Sequence, residues 1–212
     1  MPEALDVKRR VFAELDGLCP ERTVFGSNTS SLPISRIAEA TGRGDRVVGV
    51  HFFNPVAAMP LVEIVRGRET SGETEERAVA LARSLGKEVV RVADSPGFAT
   101  SRLGVALGLE AMRMLEEGVA GAADIDRAME LGYGHRMGPL KTTDVVGLDV
   151  RLAIAEALTK ELPSDRFAPP EILRVLVSEG RTGRKSGEGF FRWEGDRAVA
   201  EGARAAELAR KR

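Results

Sequence analysis

The chain holds one cysteine, Cys19, and two histidines, His51 and His135, in 212 residues. A single thiol excludes an internal disulfide and fits a reducing compartment. Without a histidine or basic cluster beside it, Cys19 is a poor nucleophile and reads as a small packing residue. Two distant histidines leave any zinc site dependent on carboxylates, so no metal is expected. Charge of one sign is missing too. Lys and Arg total 31 against 32 for Asp and Glu, a formal net charge of -1, which gives no whole-chain drive toward nucleic acid or anionic membrane. No apolar run approaches a membrane span, and MPEALDVKRR at the start lacks a signal-peptide core. The expectation is a cytoplasmic protein with no nucleic-acid or membrane partner. There is no P-loop and no GxSxG elbow. Two near-misses to the dinucleotide fingerprint, GRGDRV and GYGHRM, lack the third glycine and the strand–turn–helix setting.

What is present is a globular composition, 43% hydrophobic and 30% charged, in a chain long enough for one large domain or two small ones. Residues 3–18 place Leu5, Val11, Phe12, Leu15 and Leu18 at near-helical spacing. A short strand at residues 23–26, a helical stretch at 34–40 and a buried strand at 47–50 predict a parallel pair. Another strand spans 61–65. Thr70 and Glu73 have capping-box spacing before a helix that Gly86 closes, and a β-rich run follows at 89–92. After Pro96-Gly97, residues 98–115 are apolar on nearly all sides, which predicts a helix covered by other helices or a subunit partner. Short helices are expected at 124–131, from Pro139 through Leu158, and at 169–178. The tail, residues 194–212, is rich in Ala, Arg and Glu and reads as a charged, helical, solvated extension.

Three polar residues in the stretch 27–63 stand beside short apolar runs. His51 ends a predicted strand and has the neutral imidazole of a general base, although a backbone-bonded strand-end histidine reads equally well. Glu63, twelve positions on, can return beside it and orient the ring; on spacing alone an outward strand position suits it better. Ser30 follows a strand, where open α/β sheets take ligands. Its hydroxyl, or that of Ser31, serves equally as a helix cap. His135, among glycines, reads as a turn residue.

SNTSSLP, GVHFFNPV, MPLVEI, DSPGF, ADIDRAM, GPLKTTDVVGLD and GRKSGEGFF, in that order and at these separations, resemble the 3-hydroxyacyl-CoA dehydrogenase family from about Pro2 to Trp193. The resemblance implies an α/β part followed by an all-α part: the C-terminal portion of a Rossmann-like NAD-binding domain at residues 1–94, a helical dimerisation and substrate domain at 95–193, and the tail outside it. It implies NAD-dependent oxidation of L-3-hydroxyacyl-CoA to 3-ketoacyl-CoA, as in β-oxidation or butanoate metabolism. His51 would accept the proton and Glu63 would orient it. Ser30 would stand near the substrate oxygen and nicotinamide, Asn54 beside the nicotinamide. A homodimer through the helical domain is implied as well.

Two departures stand out. PGFATSRL carries Ser101 where the family pattern has Asn, keeping one hydroxyl for substrate binding and losing the amide's second polar group; retained but altered activity is the expectation. The strand, GxGxxG turn and helix of the family's pyrophosphate cradle do not occur ahead of Pro2. The sheet is thus expected to show an open edge. The competing expectation is an acyl-CoA-binding or dimerisation module without turnover.

Overall fold

A computed structural model describes residues 4–162 and 164–210. The chain forms two compact units that divide between Ser101 and Arg102. The first contains α1 (Leu5–Leu18), β1 (Phe25–Ser27), α2 (Ile34–Ala38), β2 (Val47–Phe52), β3 (Leu61–Arg66), α3 (Gly72–Ser84) and β4 (Glu88–Ala93). Its sheet has the order β1-β2-β3-β4, with β1 at an edge. β1 and β2 are parallel, as the strand–helix–strand pattern predicts, while β2 and β3 run antiparallel and β3 and β4 parallel.

Strand alternation sorts the side chains onto two faces. Val48, Val50, Val62 and Ile64 pack with Ala78, Val79 and Ala82 of α3. Val47 and Val65 face the other way, against Phe12 of α1, Ile34 and Ile37 of α2, and Phe98. His51 and Glu63, two positions on from Gly49 and two back from Val65, share this second face.

Close contact there fixes one residue type. A Cβ on Gly49 would lie 2.6 Å from Val65 Cβ and 2.9 Å from Ile34 Cδ1, in a core where Val65 and Ile34 are sealed from solvent. Gly49→Ala is therefore expected to lose about 1–3 kcal/mol by overpacking. An unchanged urea midpoint would show that the sheet and α2 yield freely.

The capping box expected from Thr70 and Glu73 is not what starts α3. Ser71 accepts from Thr74 N at 3.2 Å, and Thr70 is drawn inward, its hydroxyl donating to Val47 O at 2.6 Å and accepting from Gly67 N at 2.9 Å. The cap moved by one residue because Thr70 was needed to tie the β3–α3 loop to β2. Gly86 does close the helix, with φ at 72°.

The second unit holds most of α4 (Thr100–Glu116), then α5 (Ala122–Gly132), α6 (Pro139–Val146), α7 (Leu148–Glu161), α8 (Glu171–Ser178), a hairpin of β5 (Phe191–Glu194) and β6 (Arg197–Glu201), and α9 (Ala203–Arg210). Its core gathers Leu109 and Met112 of α4 with Leu140, Leu158, Leu173 and Phe190. α4 buries Val105, Leu109, Met112 and Leu115 but leaves Leu103 71% exposed, so its apolar surface is only partly covered within one chain. The single helix expected from Pro139 to Leu158 is two, because Gly147 takes a φ of 106° that breaks the helical path.

The tail also differs from the expected solvated extension. β6 pairs with β5, Ala205 of α9 is buried, and Leu208 packs against the core. Glu201 Oε1 accepts from Ala123 N at 2.7 Å, fastening β6 to the start of α5. Alanines give a small buried area per residue, so a docked alanine-rich helix shows no large apolar stripe in sequence. No helix among the described residues is long and apolar enough to cross a membrane.

Candidate active site

In the antiparallel β2–β3 ladder, His51 lies directly opposite Glu63. Directly opposed residues on one face bring their Cβ atoms about 5 Å apart, close enough for side chains to pair. His51 Nδ1 is 2.7 Å from Glu63 Oε2. Glu63 is fully buried and His51 is 7% exposed.

Both oxygens of Glu63 are saturated with donors. Oε1 accepts from Ala99 N at 3.2 Å and Thr100 N at 2.9 Å; Oε2 accepts from Thr100 Oγ1 at 3.0 Å as well as from His51. Burial pushes the Glu63 pKa up, but the hydrogen bonds from His51 and Thr100 outweigh it and hold the carboxyl below its ordinary value. An ionised carboxylate can only accept, so Nδ1 carries a proton, which in the neutral ring leaves the lone pair on Nε2. That is the tautomer a general base requires.

The donors on Glu63 come from the first residues of α4, whose amides lack helical partners. Gly97, with φ at 73°, and Phe98, at 47°, turn the chain so that these amides face the carboxylate. A bulky residue at positive φ costs about 1–3 kcal/mol and persists where its surroundings demand it. Here Phe98 is buried in the core, its ring 5.9 Å from the His51 ring, and Phe53 flanks the imidazole at 4.4 Å.

Asn28 binds the end of β2 to the loop after β1. Its Oδ1 accepts from Phe52 N at 3.1 Å, and its backbone oxygen accepts from the buried Lys8 at 2.9 Å. The first amides of α2 are held by a residue distant in the chain. Thr29 Oγ1 accepts from Leu32 N at 3.0 Å, and Asp94 accepts from Ile34 N and Ser35 N at 3.0 and 2.7 Å, capping α2.

Of the residues singled out in the sequence, His51 and Glu63 are brought into contact. Ser30 is half-buried in the loop at the carboxyl end of β1, and Asn54 is exposed just beyond β2; because β1 and β2 are parallel, both lie toward the end of the sheet that carries His51. Ser101, half-buried, follows Thr100 on α4. His135 is half-buried in the loop between α5 and α6, away from any regular element. Thr100, Asn28 and Asp94 went unmarked. The one available signal was Thr100 at the start of a helix directly after a Pro-Gly turn.

A wide cleft elsewhere in the first unit is bordered by Arg36, Arg66, Arg68 and Arg91. It opens where β3 and β4 end, the opposite end of the sheet from His51. Its arginines pair with Glu39, Glu75 and Glu76, and Asp94 lines it as well, so four carboxylates offset the four arginines and leave no net excess of charge to hold an anion.

The second unit has its own buried carboxylates. Asp126 accepts from Leu140 N at 2.8 Å and Lys141 N at 2.9 Å, capping α6. Asp144 accepts from Phe190 N, Phe191 N and Trp193 Nε1, each at 2.9 Å. Both are sealed from solvent. The motifs ADIDRAM, GPLKTTD and GRKSGEGFF thus meet around two structural carboxylates.

A profile described as "3-hydroxyacyl-CoA dehydrogenase, NAD binding domain" matches residues 1–95, and one described as "3-hydroxyacyl-CoA dehydrogenase, C-terminal domain" matches 97–193. A probable 3-hydroxybutyryl-CoA dehydrogenase of Bacillus subtilis is 45% identical over 192 residues, covering 91% of this chain and 67% of that protein. The human mitochondrial hydroxyacyl-coenzyme A dehydrogenase is 44% identical over 193 residues, covering 91% and 62%. The crystal structure of (S)-3-hydroxybutyryl-CoA dehydrogenase from Ralstonia eutropha aligns with a TM-score of 0.87 at 40% identity, covering 91% of this chain and 68% of that one. The chain spans about two thirds of the length of these relatives.

Proposed function

The chain belongs to the 3-hydroxyacyl-CoA dehydrogenase family, and from that premise we propose that it carries the proton-transfer machinery for interconverting L-3-hydroxyacyl-CoA and 3-ketoacyl-CoA with NAD. The observation that carries this reading is the 2.7 Å contact between His51 Nδ1 and the fully buried Glu63. His51 Nε2 takes the proton of the 3-hydroxyl in oxidation and returns it in reduction. Glu63 holds the tautomer and offsets the charge the ring acquires. Ser30 would hydrogen-bond the reacting oxygen, Ser30 and Asn54 would hold the nicotinamide end of the cofactor, and Ser101 would orient the acyl-CoA. NAD supplies the hydride acceptor.

The residues present suit the nicotinamide end of that cofactor. Ser30 and Asn54 follow the ends of adjacent parallel strands, and Ser27 at the end of β1 has a buried Oγ with no hydrogen-bond partner. A glycine-rich turn for the pyrophosphate is not among the 212 residues, so the fit covers that end alone. The lone Cys19 suits a cytoplasmic setting.

The helical unit is inferred to join two copies into a homodimer. Leu103 and Leu131 are each 71% exposed and Tyr133 is 79% exposed, apolar area that a second copy would cover. The enzymatic reading is tested by mixing the chain with acetoacetyl-CoA and NADH and following NADH absorbance. Oxidation of NADH is expected. Acyl-CoA binding by calorimetry with no NADH consumed would reduce the chain to a binding module.

A further inference from the structure

Arg151, near the start of α7, is 8% exposed yet has no acceptor among the described residues. Its Nε is sealed from solvent without a hydrogen-bond partner, and its one resolved influence is burial, which lowers its pKa with no anion to offset it. Arginine does not escape by losing its proton. An unpaired buried cation is strongly unfavourable. The other deeply buried charges all have partners: Lys8 on Asn28 O, Glu63 on Thr100, Asp126 at the head of α6, and Asp144 on Trp193.

The surroundings are shaped for the guanidinium. It lies over Gly104 of α4, where an added Cβ would come within 3.4 Å of Nη1 and 3.6 Å of Nη2. The residue before each partner is apolar and turned outward: Leu103 is 71% exposed and Val150 is 40% exposed, with Val146 at 42% just ahead of the α6–α7 break.

We propose that this recessed guanidinium receives a carboxylate from a second copy of this chain, placing one charged pair inside an apolar contact between two helical units. A lone guanidinium fork matches one carboxylate bidentately. A free phosphate, with its wider set of oxygens, would call for further donors beside the fork. Leu103, Val150 and Val146, exposed close to it in the chain, would help exclude water from such a pair if something broad covered them, and excluding water is what strengthens a central pair. Two copies of one chain are the commonest way such a face is covered, and arginine is enriched in such contacts. The proposal rests on the dimer reading above and adds the residue that anchors it.

Sedimentation equilibrium of this chain and of its Arg151→Met and Arg151→Lys variants provides the test. The unaltered chain is expected to dimerise, and Arg151→Met to raise the dimer dissociation constant on the order of a hundredfold, as loss of one partner of a buried interfacial pair does. Arg151→Lys, which keeps the charge without the fork, falls between. At dilutions where all are monomers, Arg151→Met should melt no lower than the unaltered chain, because the uncompensated charge is gone; a lower melt would mark an internal structural role and overturn the proposal. A dimer equally tight in Arg151→Met overturns it while leaving the dimer reading intact. A chain that stays monomeric removes both, and one stabilised by inorganic phosphate through Arg151 would be a small-anion site instead.

Discussion

Replacing His51 with alanine is expected to lower kcat by roughly 10²–10⁴-fold in the acetoacetyl-CoA assay, the range general acid–base catalysis contributes, with KM for the acyl-CoA changed little. The imidazole is positioned by Glu63 rather than by backbone, so truncation removes the base without disturbing the ladder between β2 and β3. Glu63→Gln probes the other half of the pair. It keeps the volume but puts an NH2 where one oxygen now accepts from His51 or from Thr100. The expected loss in kcat is of similar order, since the wrong tautomer disables a correctly placed histidine. It also changes stability against pH. Glu63 has a depressed pKa in the fold, so its contribution is present above its ordinary value and is lost as pH falls through the depressed one. The variant should lack that acid-side slope while starting from a lower plateau, because buried donors on Thr100 and Ala99 lose an acceptor. A His51→Ala variant with unchanged kcat would sink the proton-transfer assignment outright.

The pairing of His51 with Glu63 was legible through the family resemblance, since spacing alone favoured an outward Glu63; strand periodicity only allowed a histidine at one strand's end and a carboxylate inside the next to face each other across a hairpin. The parallel β1–β2 pair followed from a short strand, a helix and a second strand. What sequence did not disclose were contacts between distant positions. Asp94 caps α2 from sixty residues away, and Thr100 completes the Glu63 cage only because Phe98 adopts a left-handed backbone. Neither leaves a periodic trace. The break at Gly147 was hidden inside an apolar run, since a glycine mid-helix signals either tolerance or termination. Asp126 and Asp144 lie within helices, and nothing in their spacing marks them as buried. A Cβ on Gly138 would fall 2.2 Å from Asp126 Cγ, and one on Gly189 2.2 Å from Asp144 Oδ1. These glycines make room for a carboxylate.

Asp144→Ala is expected to be the most damaging single change in the second unit, costing on the order of 3–5 kcal/mol. It strands the amides of Phe190 and Phe191 and the Trp193 indole N–H in a sealed interior, each worth about 1–3 kcal/mol when left without a partner. Against a typical domain stability of about 5–15 kcal/mol, partial unfolding of the hairpin and α9 should follow. Ionised Asp144 is itself a compromise. Burial pushes its pKa from 3.8 up to about 6, the three donated hydrogen bonds opposing but not cancelling that rise. A folded-state pKa raised above the unfolded one means that the group's contribution is fully present below the unfolded value and is lost as pH rises through about 6. The rise corresponds to about 3 kcal/mol. Trp193, the single tryptophan in the chain, bonds this carboxylate and so reports on it directly. Its emission is expected to titrate with a midpoint near 6, and Asp144→Asn, which keeps the volume without the charge, is expected to abolish that transition while retaining part of the stability that alanine loses. A featureless emission profile across that range would mean that the three donors hold the carboxylate ionised despite its burial, and a transition that survives in Asp144→Asn would assign it to another group.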